Sequence, residues 1–331
     1  MINIESATND AAFSFSTEQY IMRSESLEIP AAMLWQTGKT VMLGSYQVAN
    51  IELDLDIIQE NGIKIVRRSS GGGTIFTDPG TVLFSVILPY EKQENSQFEA
   101  KEFLASWVIG SLGKLGITAK QEGRNDITVD GKKVTGLAQY VVGNKICSHC
   151  SLLYDTDLEM LARVLKVDDE KISSKAIRSI RSRVANVADH MKEQMSVNEL
   201  KKLIVGTLGE KHDLTHHSWS DEELAEIRAI NEGKYSNPAY TFGSSPKFSY
   251  KNSKRFFGGR VDVYLDIVRG AIGSCFIRGD FMGTASIRLL EEKLENREYQ
   301  KGIIADVLDE VPLDSFLGHI TKEEFLSCLF G

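Results

Sequence analysis

The run Arg67-Arg-Ser-Ser-Gly-Gly-Gly-Thr-Ile-Phe76 narrows what this chain can fold into more than any other ten residues. It places two guanidinium groups just before three glycines, and Thr77-Asp-Pro-Gly80 follows at once. Glycines let backbone N–H groups approach an oxyanion and tolerate positive φ, while arginine supplies planar fork donors suited to phosphate or carboxylate. The run therefore reads as an anion cradle, with a nucleotide or an acyl phosphate as the first ligand to consider. A glycine-rich hairpin with solvated arginines stays open on these residues alone. The spacing fits neither Gly-x-Gly-x-x-Gly nor Gly-x-x-x-x-Gly-Lys-Ser/Thr, so neither a dinucleotide fold nor a Walker loop is indicated.

A second cluster reads Gly123-Arg-Asn-Asp-Ile-Thr-Val-Asp-Gly-Lys-Lys-Val-Thr-Gly-Leu-Ala138. Ile127, Val129, Val134 and Leu137 alternate with polar neighbours about Asp130-Gly131, a strong hairpin signal. Lys132 and Lys133 leave the turn on adjacent positions of the second strand and so point to opposite faces, one to solvent and one to a pocket. Two solvated lysines beside a turn is the plainer alternative. A third cluster, His149-Cys-Ser-Leu-Leu-Tyr154, is an apolar strand entered by a histidine, a residue more often packed or capping there than catalytic. In the fourth, Lys171-Ile-Ser-Ser-Lys-Ala-Ile-Arg-Ser-Ile-Arg-Ser-Arg183, basic residues stand without an acid. If it is helical, Lys171, Lys175, Arg178 and Arg181 share one face. Such a stripe repels itself, which favours an anionic partner over a plain solvated face.

Composition excludes several function classes. With a net charge of −8 and a pI near 5.4, a nucleic-acid partner has no electrostatic support. No apolar stretch reaches the ~18 residues that span a bilayer, and Met1-Ile-Asn-Ile-Glu-Ser lacks signal-peptide features, so a cytoplasmic protein without a membrane partner is expected. Four scattered cysteines make no disulfide framework, and Cys147-Ser-His-Cys150 lacks the second pair a zinc site needs.

At 331 residues and 42% hydrophobic the chain is long enough for two domains with cores of their own. Periodicity predicts helices over 13–22, 102–115, 158–165 and 197–208 and strands over 40–43, 63–66 and 81–88. A linker is expected over 231–252, rich in Gly, Ser, Pro and Asn. After it come a hairpin over 259–276 about Arg269-Gly270 and helices over 285–294 and 302–308. The fold class is therefore α+β: a large domain, 1–243, with a mixed sheet flanked by helices, and a small α+β C-terminal domain, 244–331.

Taken in order and at this spacing, Arg67 to Gly73, Gly123 to Asp126, Gly131 to Gly136, His149, and Lys171 to Asn186 resemble the lipoate-protein ligases of the biotin/lipoate ligase superfamily. Leu34-Trp35-Gln36 and Gly44 to Gln47 look like that family's first strands, and Phe256 to Gly259 through Gly279-Asp280-Phe281 looks like its C-terminal accessory domain. The resemblance implies a two-step ligase. Lipoate and ATP, with Mg2+, give lipoyl-AMP and pyrophosphate, and the acyl group then passes to a lysine of a lipoyl carrier domain. Carriers of this kind are 2-oxoacid dehydrogenase acyltransferase subunits and the glycine-cleavage H protein. It further implies that Lys133 is the catalytic cation, serving both substrates without being acylated. ATP and adenylate would be held by Arg68, Ser70, Gly71, Gly72, Gly73, Thr74, Ile75, Phe76, Asn125, Asp126, Lys175 and Arg183; lipoate by Arg68, Gly136 and His149; and the metal by Asp126.

Two residues depart from the family pattern. Thr77 stands where a histidine usually follows the glycines, and Cys150 stands where a glycine commonly follows His149. The second opens an alternative, a cysteine-dependent octanoyl- or lipoyl-transferase with Cys150 as nucleophile, because a thiol beside His149 with Lys133 nearby would be an activated one. The C-terminal domain and the 171–183 segment weigh against it. An adenylate-binding sensor without transfer is a third reading, left little room because no DNA-binding helices precede Met1 to Phe13.

Overall fold

The structure, a computed structural model, describes residues 1–6, 8–91, 95–123, 125–165, 182–242, 250–268 and 270–330. They gather into two compact units: Met1–Met42, Leu53–Val66 and Ile75–Thr241 form the first, and Leu43–Glu52, Arg67–Thr74 and Phe242–Gly331 the second. The boundary expected at 243/244 falls outside the described residues, while two short N-terminal segments pack with the C-terminal part.

The first unit is built on strands β1 (Ile2–Glu5), β2 (Ala31–Trp35), β3 (Thr40–Leu43), β4 (Lys64–Arg67), β5 (Ile75–Thr77), β6 (Thr81–Pro89), β7 (Ala119–Glu122), β8 (Asp126–Val129), β9 (Lys132–Val142), β10 (Lys145–Leu153) and β11 (Thr215–His216). Eight of them make one mixed sheet in the order β11-β1-β2-β6-β10-β9-β8-β7, and β4-β3-β5 make a smaller one. β1 runs parallel to β2 and β11, and the remaining pairs of the large sheet are antiparallel.

Both faces of the large sheet are covered, which explains why β6 reads as a continuous apolar run. Val82, Phe84 and Val86 join Leu104, Trp107, Val108, Leu200 and Ile204 in one core, where the helices Ser96–Lys114 and Val197–Gly209 lie. Leu83 and Ile87 join Phe15, Ile21, Trp35 and Tyr235 in the other. That second face is covered by the helix Ala11–Arg23, whose N-cap Asp10 accepts from the Phe13 amide, and by the helix Asp221–Ile230, which opens on a Ser220/Glu223 capping box.

The linker expected over 231–252 is corrected at both ends, a strand beginning at Tyr250, while its residues 243–249 lie outside the described ones. The helix Asp221–Ile230 runs on as a π-helical turn, Asn231–Tyr235, and Pro238 starts a further helix, Pro238–Phe242. The physical reason is Tyr235, which is buried and stacks on Phe15 at 5.7 Å between ring centroids. Gly44–Gln47 is likewise a turn rather than a strand, closed by the Gln47 amide donating to the Gly44 carbonyl.

In the second unit β12 (Tyr250–Phe256), β13 (Gly259–Val268) and β14 (Ala271–Gly279) form an antiparallel sheet. The helices Ile287–Leu294, Lys301–Asp309, Leu313–Leu317 and Lys322–Phe330 follow, the last two beyond those the periodicity indicated. Val261, Val263, Leu265, Cys275 and Ile277 pack with Leu290, Ile304, Phe316 and Phe325 into a separate core. The expected fold class, α+β with a mixed sheet flanked by helices and a small α+β C-terminal part, is what the structure has.

Candidate active site

The glycine run lies in the second unit, and its arginines are not solvated. Arg67 and Arg68 are 6% and 5% exposed. Arg67 donates from one terminal nitrogen to the carbonyls of Gly44 and Gln47 at 2.8 and 2.6 Å, holding the Gly44–Gln47 turn. Arg68 donates to the Ser70 hydroxyl at 3.1 Å and to the carbonyls of Gly71 and Gly73 at 2.8 Å each. Burial, and then the neighbouring Arg67, pull the Arg68 guanidinium down to about 10, so it remains charged at neutral pH. Both arginines therefore donate to the backbone of their own loop and turn, so they are not the solvated arginines of the plainer alternative.

The glycines act for different reasons. Of the three, only Gly72 has positive φ, +93°. Its amide donates to the Phe281 carbonyl at 3.3 Å, and a β-carbon there would sit 3.0 Å from the Arg68 guanidinium and 3.1 Å from the Met282 sulfur. Gly71 passes so close to Phe281 that a β-carbon would fall 2.5 Å from its carbonyl oxygen. Around them, Ser70 accepts from the Ser45 amide through its carbonyl, Thr74 donates to the Gln47 side chain at 3.1 Å, and Tyr46 stacks on Phe281 at 4.7 Å.

The remaining expected residues belong to the first unit. Ile75 and Phe76 pair with Met42 and Val41 on β5, and Phe76 is buried. Thr77, in place of the family histidine, is buried and accepts a 2.7 Å hydrogen bond from the Thr37 hydroxyl. That position holds a packed hydroxyl pair, not a titratable group.

The β8–β9 hairpin brings Asn125, Asp126, Lys133 and Gly136 together. Asn125 donates to the Leu137 carbonyl at 2.8 Å, and the Lys133 ammonium meets the Asp126 carboxylate at 2.8 Å, each side chain 38% exposed. Lys132 is exposed and borders a cavity of about 460 Å³ shared with Asp157, Glu159, Asn186 and Asp189. Arg183 is exposed in a short helical turn next to Val184, which bridges to Lys133. Lys171, Lys175, Arg178 and Arg181 lie outside the described residues.

His149 sits on β10 with its side chain against Glu18, Nδ1 at 3.2 Å from both carboxylate oxygens. The Glu18 carboxylate also accepts from the Ser85 hydroxyl, which accepts 2.9 Å from the Trp35 indole N–H. All four are buried. Alternation along β10 turns Cys147 to this face, and burial, with Glu18 beside it, raises its thiol well above the usual range. Cys150 turns the other way, into the core with Phe84, Leu137 and Leu152, and burial pushes it up to about 12. A thiol held protonated there is no nucleophile at neutral pH.

Glu18, Cys147 and His149 place three possible ligand atoms within 4.8 Å of one another. The oxygen, sulfur and nitrogen of that set suit zinc-like cations rather than Mg2+, which takes hard oxygen ligands. Sequence reasoning singled out Cys147 and His149 but missed Glu18 as the residue that joins them. The signals were polar residues on apolar stripes: Glu18 three positions after Phe15 on one helix face, and Ser85 inside an otherwise apolar strand.

Comparison with known proteins covers nearly the whole chain. Residues 10–209 match the family model described as the lipoyl protein ligase A/B catalytic domain, and residues 245–329 match that of the bacterial lipoate protein ligase C-terminus. The chain is 33% identical over 325 residues to lipoate-protein ligase LplJ of Bacillus subtilis, covering 97% of each. It is similar, at 29% identity and a TM-score of 0.66, to a bi-partite lipoate protein ligase of Thermoplasma acidophilum described with its E2 lipoyl domain, over 75% of this chain and 98% of that one. A crystal structure of lipoate-protein ligase A bound with ATP matches at 27% identity and a TM-score of 0.62, over 73% and 99% of the two chains.

Proposed function

Because the chain belongs to the lipoate-protein ligase family, we propose that it activates lipoate with ATP and transfers the acyl group to a carrier lysine. In the first step a lipoate carboxylate oxygen attacks the α-phosphorus of ATP, the α–β bridging oxygen leaves with pyrophosphate, and lipoyl-AMP remains. In the second step the carrier lysine amine attacks the acyl carbon and AMP leaves, forming an amide. Likeness to an ATP-bound ligase and to one studied with a lipoyl domain supports both substrates. Acceptors are lipoyl domains of 2-oxoacid dehydrogenase acyltransferase subunits and the glycine-cleavage H protein, met in the cytoplasm. Residues 1–243 are read as the catalytic part and 244–331 as the accessory part.

What supports this reading best is Lys133, a half-exposed ammonium on a sheet strand beside Asp126 and Gly136. Attack of one anion on another needs a fixed cation, and a preorganised donor is worth ~10²–10³ in rate. The glycine loop of residues 70–74, with Arg68 inside it, would face the phosphates and the acyl carboxylate. Ile75 and Phe76 would extend that contact, with Asn125, Lys175 and Arg183 helping to hold the adenylate and His149 the lipoate. Asp126 fits Mg2+ by donor type, since that ion is commonly held by one or two carboxylates and substrate phosphates; when bound it would neutralise phosphate charge.

The competing thioester-transfer reading fails on Cys150, whose thiol is buried in the apolar core away from His149. Exchange of labelled pyrophosphate into ATP tests the ligase reading. Exchange that requires lipoate supports adenylation, and its absence in active, carrier-competent protein would overturn it.

A further inference from the structure

Lys133 and Asp126 lie on neighbouring strands but not opposite one another. In the β8–β9 register Asp126 faces Gly136, and Lys133 faces Thr128. For the Lys133 ammonium to reach Asp126, its side chain must run along its own strand and cross residue 136. It does so: a β-carbon on Gly136 would lie 2.6 Å from Nζ and 2.8 Å from Cε of Lys133.

Two backbone features aim the side chain along that path. Ile127 pairs with Thr135 while Thr128 pairs with Lys133, so Val134 is an extra residue, and a bulge of this kind redirects the side chains beside it. Val134 turns into the core with no exposure, which anchors the bulge. On the other side of Lys133, its carbonyl accepts from the Ala185 amide at 3.0 Å, and Val184 bridges to it. The backbone of Lys133 is thus held between β8 and the 184–185 segment.

We propose that Asp126 and Gly136 are positioning residues that act through Lys133: Gly136 leaves the groove in which the side chain lies, and Asp126 holds its charged end. The proposal rests on the ligase reading, in which that ammonium serves the acyl and phosphate oxygens. It gives Asp126 a role before any nucleotide or metal arrives. Because both partners are about one-third exposed, the pair is weak, and an incoming anion takes over the ammonium at little cost. Gly136 is needed for space rather than for backbone freedom. The atoms a β-carbon would meet there are the end of a flexible lysine, so Gly136→Ala moves the ammonium without disturbing the fold.

Competitive acylation of the unliganded full-length protein tests this, using N-hydroxysuccinimidyl acetate in the presence of EDTA. Peptide mass spectrometry then reads Lys133 against its exposed neighbour Lys132, the internal control. Asp126→Asn and Gly136→Ala should each raise the Lys133:Lys132 rate ratio about two- to fivefold, the range allowed by a half-exposed ion pair. Asp126→Glu should bring the ratio back towards that of the native protein. An unchanged ratio in both Asp126→Asn and Gly136→Ala would overturn the proposal. The labelling needs neither ATP nor lipoate, so failure of pyrophosphate exchange alone would remove the ligase reading while leaving the positioning result standing.

Discussion

The Arg68 guanidinium donates to the carbonyl of Gly73 at 2.8 Å, reaching across the loop that the two residues bound. With its second carbonyl partner Gly71, it fixes the glycine run from inside, so the loop owes its shape to a buried cation. A lysine cannot reproduce this, since one ammonium does not match a fork that spans two carbonyls and a hydroxyl. Arg68→Lys should therefore lower stability by about 1–3 kcal/mol, the usual worth of lost charged hydrogen bonds, and raise the KM for ATP. Urea unfolding and pyrophosphate-exchange kinetics check both, and a variant with native values in each would show that the loop does not depend on this fork.

Gly72→Val should act more sharply than Gly73→Val. Residue 72 has a φ of +93° and the Arg68 and Met282 side chains at about 3 Å from a would-be β-carbon, whereas none of the described residues lies within 4 Å at residue 73. A β-branched residue at positive φ is strained by roughly 1–3 kcal/mol. The comparison is made by melting temperature and ATP dependence of the first step. Equal effects at the two positions would mean that close packing and φ do not set the requirement.

How far the sequence could be read depended on whether a signal was local. The hairpin about Asp130-Gly131 and the apolar run of β6 are written in adjacent residues, and each was placed to within a few positions. The linker expectation was drawn too wide, since residues 231–235 and 238–242 are helical, because composition was the only cue over 231–252. Burial of Tyr235 against Phe15, about 220 positions away, is invisible to a local window. The arginines were legible as important, but their hydrogen bonds to carbonyls of Gly44, Gln47, Gly71 and Gly73 were not, since side chains that hold their own loop carry the same letters as side chains in solvent. Glu18 was missed because its partners, Ser85 and His149, come from distant strands.

Cys150→Ser should leave the ligase reaction nearly intact. The thiol is packed among Phe84, Leu137 and Leu152 with the buried Thr135 hydroxyl as its polar neighbour, so a serine hydroxyl has a hydrogen-bond partner and should cost no more than about 1 kcal/mol in stability, with no loss of chemistry. Intact mass spectrometry of native protein with lipoate and ATP should find no acyl thioester. A thioester on Cys150, lost together with transfer in the serine variant, would contradict this.

His149→Ala should be strongly destabilising, by about 3 kcal/mol, because it leaves the fully buried Glu18 carboxylate with one fewer polar partner. The double variant Glu18→Leu with His149→Ala should recover part of that loss, since removing both members of a buried polar pair costs less than removing one. The double-mutant cycle is read from urea unfolding. Additive effects would mean that the two side chains do not depend on each other.

The last prediction concerns pH. The Lys234 ammonium donates to Gln19 at 2.8 Å and lies over the Tyr235 and Tyr240 rings at 4.7 and 5.0 Å. Burial, with Arg23 adding repulsion, pulls it from 10.5 down to about 8. The folded protein therefore binds this proton less tightly than the unfolded chain does. Above about 10.5 both states are neutral at this residue and it imposes no penalty. As pH falls towards about 8 the unfolded chain takes up a proton that the folded one does not, so stability falls, and below about 8 the penalty is complete and constant. Subtracting the unfolding free energy of Lys234→Met from that of the native protein at each pH isolates this residue. The difference should rise in favour of the native protein between about pH 8 and 10.5 and stay flat below. A difference that is level across that window, or that moves the other way, would show that the ammonium is not held at the expense of folding.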